Sequence, residues 1–128
     1  MKRVFKITVS IITVLLLIAL MGVLFISRGL KSGMNLAIND VTLISHSDGI
    51  YNGKYNAGRW SNEMNVTIND HKIIKIDVVK DVTFSLPKVT EAILSQVIEK
   101  QNTNIDVISG STVTSKAYLK SIENALNK

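Results

Sequence analysis

The sequence predicts an α+β fold: a small antiparallel sheet with two helices, preceded by one N-terminal transmembrane helix. Three observations carry this reading. Ile7 to Ser27 form a 21-residue run with no charged side chain, long enough to cross the hydrocarbon core of a bilayer as a helix. Two later runs alternate apolar and polar residues on either side of a polar turn, as a half-buried hairpin does. Two further segments repeat apolar residues at spacings of three and four, the pattern of helices with one buried face.

The elements follow in order. Residues 1–6 are basic, with Lys2, Arg3 and Lys6 before the apolar run and Arg28 and Lys31 after it. Three basic side chains against two place residues 1–6 in the cytoplasm and the C-terminal domain outside it, as a single-pass protein of the cell membrane in contact with the lipid bilayer. No small-residue cleavage pattern lies near Ser27, and there is no cysteine for lipid attachment. An uncleaved anchor over 7–27 is therefore expected, with cleavage the alternative. Residues 28–47 read as a juxtamembrane linker and lead-in. Ser27 to Gly33 reads as flexible, and Val41-Thr42-Leu43-Ile44 fits a strand or a helix.

The folded domain is expected over 48–128. It opens with an Asp48-Gly49 turn and a strand from Ile50 to Tyr55, whose internal Gly53 signals a bulge or a close backbone approach. After a loop from Asn56 to Ser61, Met64, Val66 and Ile68 alternate with Asn65 and Thr67. Asn69 to Lys72 turn the chain, and Ile74, Ile76 and Val78 form the apolar side of the returning strand. Ser85-Leu86-Pro87 starts a helix, with Leu86, Val89, Ile93 and Val97 on one face, and Asn102 to Asn104 ends it. Ile105 to Ile108 reads as a short strand, and Leu119, Ile122, Ala125 and Leu126 define the last helix.

Composition excludes several functions. The net charge of +5 (15 basic against 10 acidic residues) is carried entirely by the five basic residues that flank the apolar run. Met34 to Lys128 holds ten of each sign, so the domain lacks the basic footprint of a nucleic-acid binder. With no cysteine, disulfides, thiolate catalysis and cysteine-held iron–sulfur clusters are excluded. His46 and His71 are too few and too scattered for a metal site, and no catalytic constellation or nicotinamide fingerprint is visible.

The densest chemistry lies at the entrance of the last helix. Ser109, Gly110, Ser111, Thr112, Val113, Thr114 and Ser115 place five hydroxyls and one glycine in seven residues. Capping alone accounts for one such hydroxyl. A helix start also offers unpaired N–H groups and a partial positive charge, a natural seat for phosphate. The spacing is not that of a Walker A loop, and no histidine lies where a serine nucleophile needs its base.

This heptapeptide resembles the Ser-Gly-Ala-Thr-x-Thr-Ser signature of FMN-binding domains, the family of the sodium-pumping NADH:quinone reductase C subunit and the Rnf complex G subunit. The resemblance covers about residues 48–128. It takes in the opening Asp48-Gly49-Ile50-Tyr51-Asn52-Gly53-Lys54-Tyr55, the hairpin from Asn65 to Val79, and Asp106 three residues before Ser109. Ser111 stands where the family has alanine, and Asp81 to Ser85 lacks the family's Thr-Pro-Gly element. The resemblance implies FMN as cofactor, joined through its phosphate to Thr112 or Thr114 by a separate flavin transferase, with Ser109 to Ser115 as the binding segment. It implies a flavin electron carrier or redox subunit rather than a complete enzyme, with a membrane dehydrogenase or reductase as partner. Trp60 and Phe84 are able to stack on the flavin ring, although such aromatics are more often core or membrane-facing. The alternative is a non-redox ligand-binding or assembly module of the same fold.

Overall fold

A computed structural model describes residues 1–127. Helix α1 spans Lys2–Ser27 and buries none of its side chains. It is long and apolar enough to cross a membrane. Three of its four hydroxyls fold back on the helix: Thr8, Thr13 and Ser27 donate to carbonyls four residues earlier at 2.9, 2.9 and 2.8 Å. In a bilayer, no polar group on these three side chains would be left open to hydrocarbon.

A three-stranded antiparallel sheet in the order β1-β2-β3 forms the floor of the domain, from β1 (Gly49–Tyr55), β2 (Asn62–Asn69) and β3 (Lys72–Lys80). Helices α3 (Pro87–Lys100) and α4 (Thr112–Leu126) pack on it, α4 against β1 and β2 and α3 against β3. The predicted α+β class with two packed helices and a preceding apolar helix is what the chain adopts. Asp70 and His71 both take positive φ, 50° and 58°, which gives a two-residue hairpin turn whose twist matches the strands.

The core lies between sheet and helices. Met64, Val66 and Ile68 of β2 meet Ile122, Leu119, Ile93 and Val97 of the helices within one buried cluster. On β3 the expected alternation is interrupted. Ile68 pairs with Ile73 while Thr67 pairs with Lys75, and Met64 pairs with Val78 while Glu63 pairs with Lys80. Ile74 and Val79 are thus the extra residues of two bulges, 56% and 52% exposed. Ile76 and Val78 face inward as predicted, but Ile73 takes the place expected for Ile74, because a bulge resets the period of two.

Three other expectations are corrected. Ile105 to Ile108 form no strand. The β3 backbone at Ile73 is met instead by the Gln101 amide, which accepts from Ile73 N at 2.7 Å and donates to Ile73 O at 2.9 Å. Ile105, Val107 and Ile108 still pack on the core, so their apolar character reflects burial and not pairing. Leu86 precedes α3 as its cap and is exposed, because the buried face starts at Val89. Ser27 to Gly33 is not loose: Leu30–Met34 form a short helix, α2, in contact with α4. Gly33 is buried where a Cβ would fall 2.4 Å from Val113 Cγ1.

The lead-in from Asn35 to Ser47 has no regular structure, and side chains hold it in place. Glu123 on α4 accepts from Asn39 N and Asn39 Nδ2, both at 3.0 Å, and from Lys120 Nζ at 2.9 Å. Thr103 donates to Asn39 O at 2.7 Å. Burial of Glu123 alone would raise its pKa, but the hydrogen bonds from Asn39 and the Lys120 charge outweigh it and hold the carboxyl below its ordinary value near 4.5. A depressed folded-state pKa gives stability that is fully present above the unfolded value and is lost as pH falls through the folded one. Stability is therefore expected to fall below about pH 4.5. Glu123→Gln should cost about 1–2 kcal/mol at neutral pH and flatten that acid limb. Melts of the full chain in detergent between pH 3 and 7 would check it, and parallel acid limbs in both proteins would refute the assignment.

Candidate functional site

Helix α4 builds the site from its first turn. Ser111 is the N-cap residue, yet its side chain makes no capping bond. The first helical amide bond runs from Ser115 N to Ser111 O at 2.9 Å, so the amides of Thr112, Val113 and Thr114 point outward with no backbone acceptor. No acidic side chain occupies this turn. An N-terminus left uncapped with open amides is a seat for an anion.

The seven predicted residues divide by role. Gly110, Ser111, Thr112, Val113 and Thr114 line a cleft of about 510 Å³. The hydroxyls of Thr112 and Thr114 make no hydrogen bond among the described residues. Ser115 is fully buried behind them. Its hydroxyl donates to Ser111 O at 2.7 Å and accepts from Ile108 N at 3.3 Å, which clamps the turn. Ser109 is exposed and does not line the cleft. Gly110 has φ of +80°, the left-handed conformation that turns the chain into the helix at little steric cost.

The opposite wall comes from distant segments. Arg59 and Trp60 sit in a single 3-10 turn, Gly58–Trp60, between β1 and β2. Asn62 holds that turn to α4 by donating to Trp60 O at 3.1 Å and Ala117 O at 3.0 Å. Phe84 and Leu86 come from the loop before α3. Tyr118 ties that loop to α4: its hydroxyl donates to Asp81 Oδ1 at 2.6 Å and lies 3.0 Å from Thr90 Oγ1. Burial, and then the Asp81 hydrogen bond, push the Tyr118 phenol well above its ordinary range, so it stays protonated and serves as a strut. Leu30 and Met34 of α2 complete the apolar rim.

Trp60 and Phe84, named from sequence, therefore do reach the hydroxyl turn, while Asp106 and Lys116 do not line the cleft. Lys116 instead donates to Met34 O at 2.7 Å and fastens α2. Sequence reasoning missed Arg59. Its guanidinium carbon lies 4.0 Å from the Trp60 ring centre and 5.6 Å from that of Phe84, and its Nε is buried without a hydrogen-bond partner. An arginine beside a tryptophan in a glycine-bearing loop was the available signal. No group of histidine or carboxylate side chains able to hold a metal is found among the described residues.

A cleft of this volume falls within the usual range for small-molecule sites. One end offers amides and hydroxyls to an anion, and the rest offers aromatic and aliphatic surface to a flat apolar group. A family model described as an FMN-binding domain matches residues 29–127, which takes in α2, the sheet, both packed helices and the whole cleft. No curated protein and no solved structure gives a match.

Proposed function

The chain belongs to the FMN-binding domain family, and from that premise we propose that it is a membrane-anchored, extracytoplasmic flavoprotein that carries FMN on a threonine phosphoester and passes electrons. The observation that carries this reading is the cleft itself, where open amides and two free threonine hydroxyls meet an aromatic and aliphatic wall. The residues fit the cofactor. Thr112, Val113 and Thr114 offer amides to the phosphate, Thr112 and Thr114 offer an acceptor oxygen, and Phe84, Leu30 and Leu86 offer apolar surface to the ring system, with Trp60 buried behind Arg59. When bound, FMN supplies the ability to take up and release electrons.

The remaining residues exclude water and hold position. Apart from Arg59, no charged side chain among the described residues lines the cleft, so those residues offer no general acid or base for substrate chemistry. That supports a carrier or redox subunit that docks with a membrane dehydrogenase or reductase over a complete enzyme. Attachment by a separate flavin transferase is what the family resemblance implies, and it needs no activating group in the cleft. The anchor α1 and the greater number of basic residues before it support placement of the domain outside the cytoplasm.

The test is to express the full chain with and without a flavin transferase active outside the cytoplasm. The expected result is a mass gain of FMN minus one water, with flavin fluorescence on the denatured band, only when the transferase is present. No mass gain, under conditions in which a known family member is modified, would reject covalent attachment.

A further inference from the structure

We propose that Arg59 recognises the phosphate of the flavin nucleotide and, together with the open amides of α4, makes the cleft prefer FMN to uncharged riboflavin. The inference rests on the flavin reading above and concerns a side chain that the hydroxyl motif does not contain. Among the described residues, Arg59 is the one charged side chain lining the cleft. It makes no ion pair among the described residues, although the domain has carboxylates on several faces. Its guanidinium is held between Trp60 at 4.0 Å and Phe84 at 5.6 Å.

Stacking of this kind engages the faces of a guanidinium and leaves its in-plane N–H groups to donate. One of those donors, Nε, is buried and unpartnered. A buried cationic donor without an acceptor is unfavourable until an anion arrives. The backbone fixes the position: Arg59 O accepts from Thr83 N at 2.9 Å, and the neighbouring Trp60 is pinned to α4 through Asn62. The open amides at the start of α4 form one half of an anion seat. Arg59 on the facing wall supplies the other half, in the fork geometry suited to phosphate oxygens.

The experiment uses the full chain in phosphatidylcholine nanodiscs, produced without a flavin transferase, and titrates FMN and riboflavin by flavin fluorescence. Wild type is expected to bind FMN about tenfold to hundredfold more tightly than riboflavin, and inorganic phosphate should compete with FMN alone. Arg59→Gln should cut the ratio by about fivefold or more and leave the part that the α4 amides supply. Arg59→Lys should keep part of the preference, and Lys54→Gln, on exposed β1 surface, should keep all of it. Resistance to limited proteolysis reports folding of each variant, because Trp60 emission would answer to loss of the Arg59 contact itself; if Arg59→Gln is misfolded, a wild-type ratio in Arg59→Lys overturns the proposal. An unchanged ratio in folded Arg59→Gln overturns it too, including the case in which that variant loses only its association with anionic vesicles, which would assign Arg59 to lipid headgroups. Wild type that takes up no flavin, free or covalent, overturns the flavin reading and this proposal together. Flavin uptake with an equal preference for FMN in wild type and Arg59→Gln overturns this proposal alone.

Discussion

Gly53→Ala is expected to unfold the domain or to leave it only marginally folded. Gly53 sits in the middle of β1, opposite Met64 of β2, and faces α4. A Cβ at this position would fall 1.9 Å from Ser121 O, 2.5 Å from Ala125 N and 2.8 Å from Ala125 Cβ. The first two are helix backbone atoms, so no change of rotamer relieves the overlap. Helix α4 would have to retreat by about 1.5 Å to restore van der Waals separation, and it carries Ala117, Tyr118, Leu119, Ile122 and Leu126, all buried. The expected cost is about 3 kcal/mol or more, a large part of the roughly 5–15 kcal/mol that holds a domain together. Because α1 would mask helix loss in far-ultraviolet dichroism, the readout is emission from Trp60, the one tryptophan in the chain and a buried residue. A melting temperature within about 2 °C of wild type would show that the helix–strand contact yields more readily than its geometry implies. Gly110→Ala makes the contrast. Nothing lies within 4 Å of its added Cβ, so only the left-handed backbone resists, at about 1–2 kcal/mol.

Gly53 also shows where sequence was informative. A glycine inside an aromatic strand signalled a bulge or a close approach, and the close approach is what the fold contains. The apolar run, the hairpin and both packed helices were legible because each repeats with a simple period. The bulges at Ile74 and Val79 were not, since each breaks that period to keep Ile73, Ile76 and Val78 inward. The lead-in was not, because its backbone is satisfied by Glu123 and Thr103, residues more than sixty positions away. The same division holds at the site. The hydroxyl turn is contiguous in sequence and was readable as a phosphate seat. Arg59 is brought to it by Asn62 and Ala117, and Phe84 by Tyr118 and Asp81, contacts that leave no periodic trace. The lead-in and α2 lie within the family match, which begins at residue 29.

Thr112→Ala is expected to abolish covalent flavin, and Thr114→Ala to retain most of it. Both hydroxyls line the cleft and both are free, so composition does not separate them; position on the helix does. Thr112 is the first residue of α4. Every Cα–Cβ bond in a helix tilts toward the N-terminus, so a side chain at this position leans over the open amides with no preceding turn in its way. A phosphate esterified there sits on the helix axis, where the partial positive charge is greatest. Thr114 lies two residues further along, about 3 Å deeper, and its hydroxyl leaves the side of the helix. It is better placed to donate a hydrogen bond to a phosphate oxygen than to carry the ester, and its loss should slow attachment by a fewfold through about 1 kcal/mol of binding while most of the chain is still modified at completion. Thr112→Ser keeps a hydroxyl at the same place and should restore part of the modification, which separates chemistry from folding. The measurement is intact mass of each variant co-expressed with the transferase, alongside resistance to limited proteolysis as a fold control. Loss of flavin in Thr114→Ala with retention in Thr112→Ala would reverse the assignment and mean that the ester leaves the flank of the helix. Full retention in both single variants would reject a unique threonine acceptor.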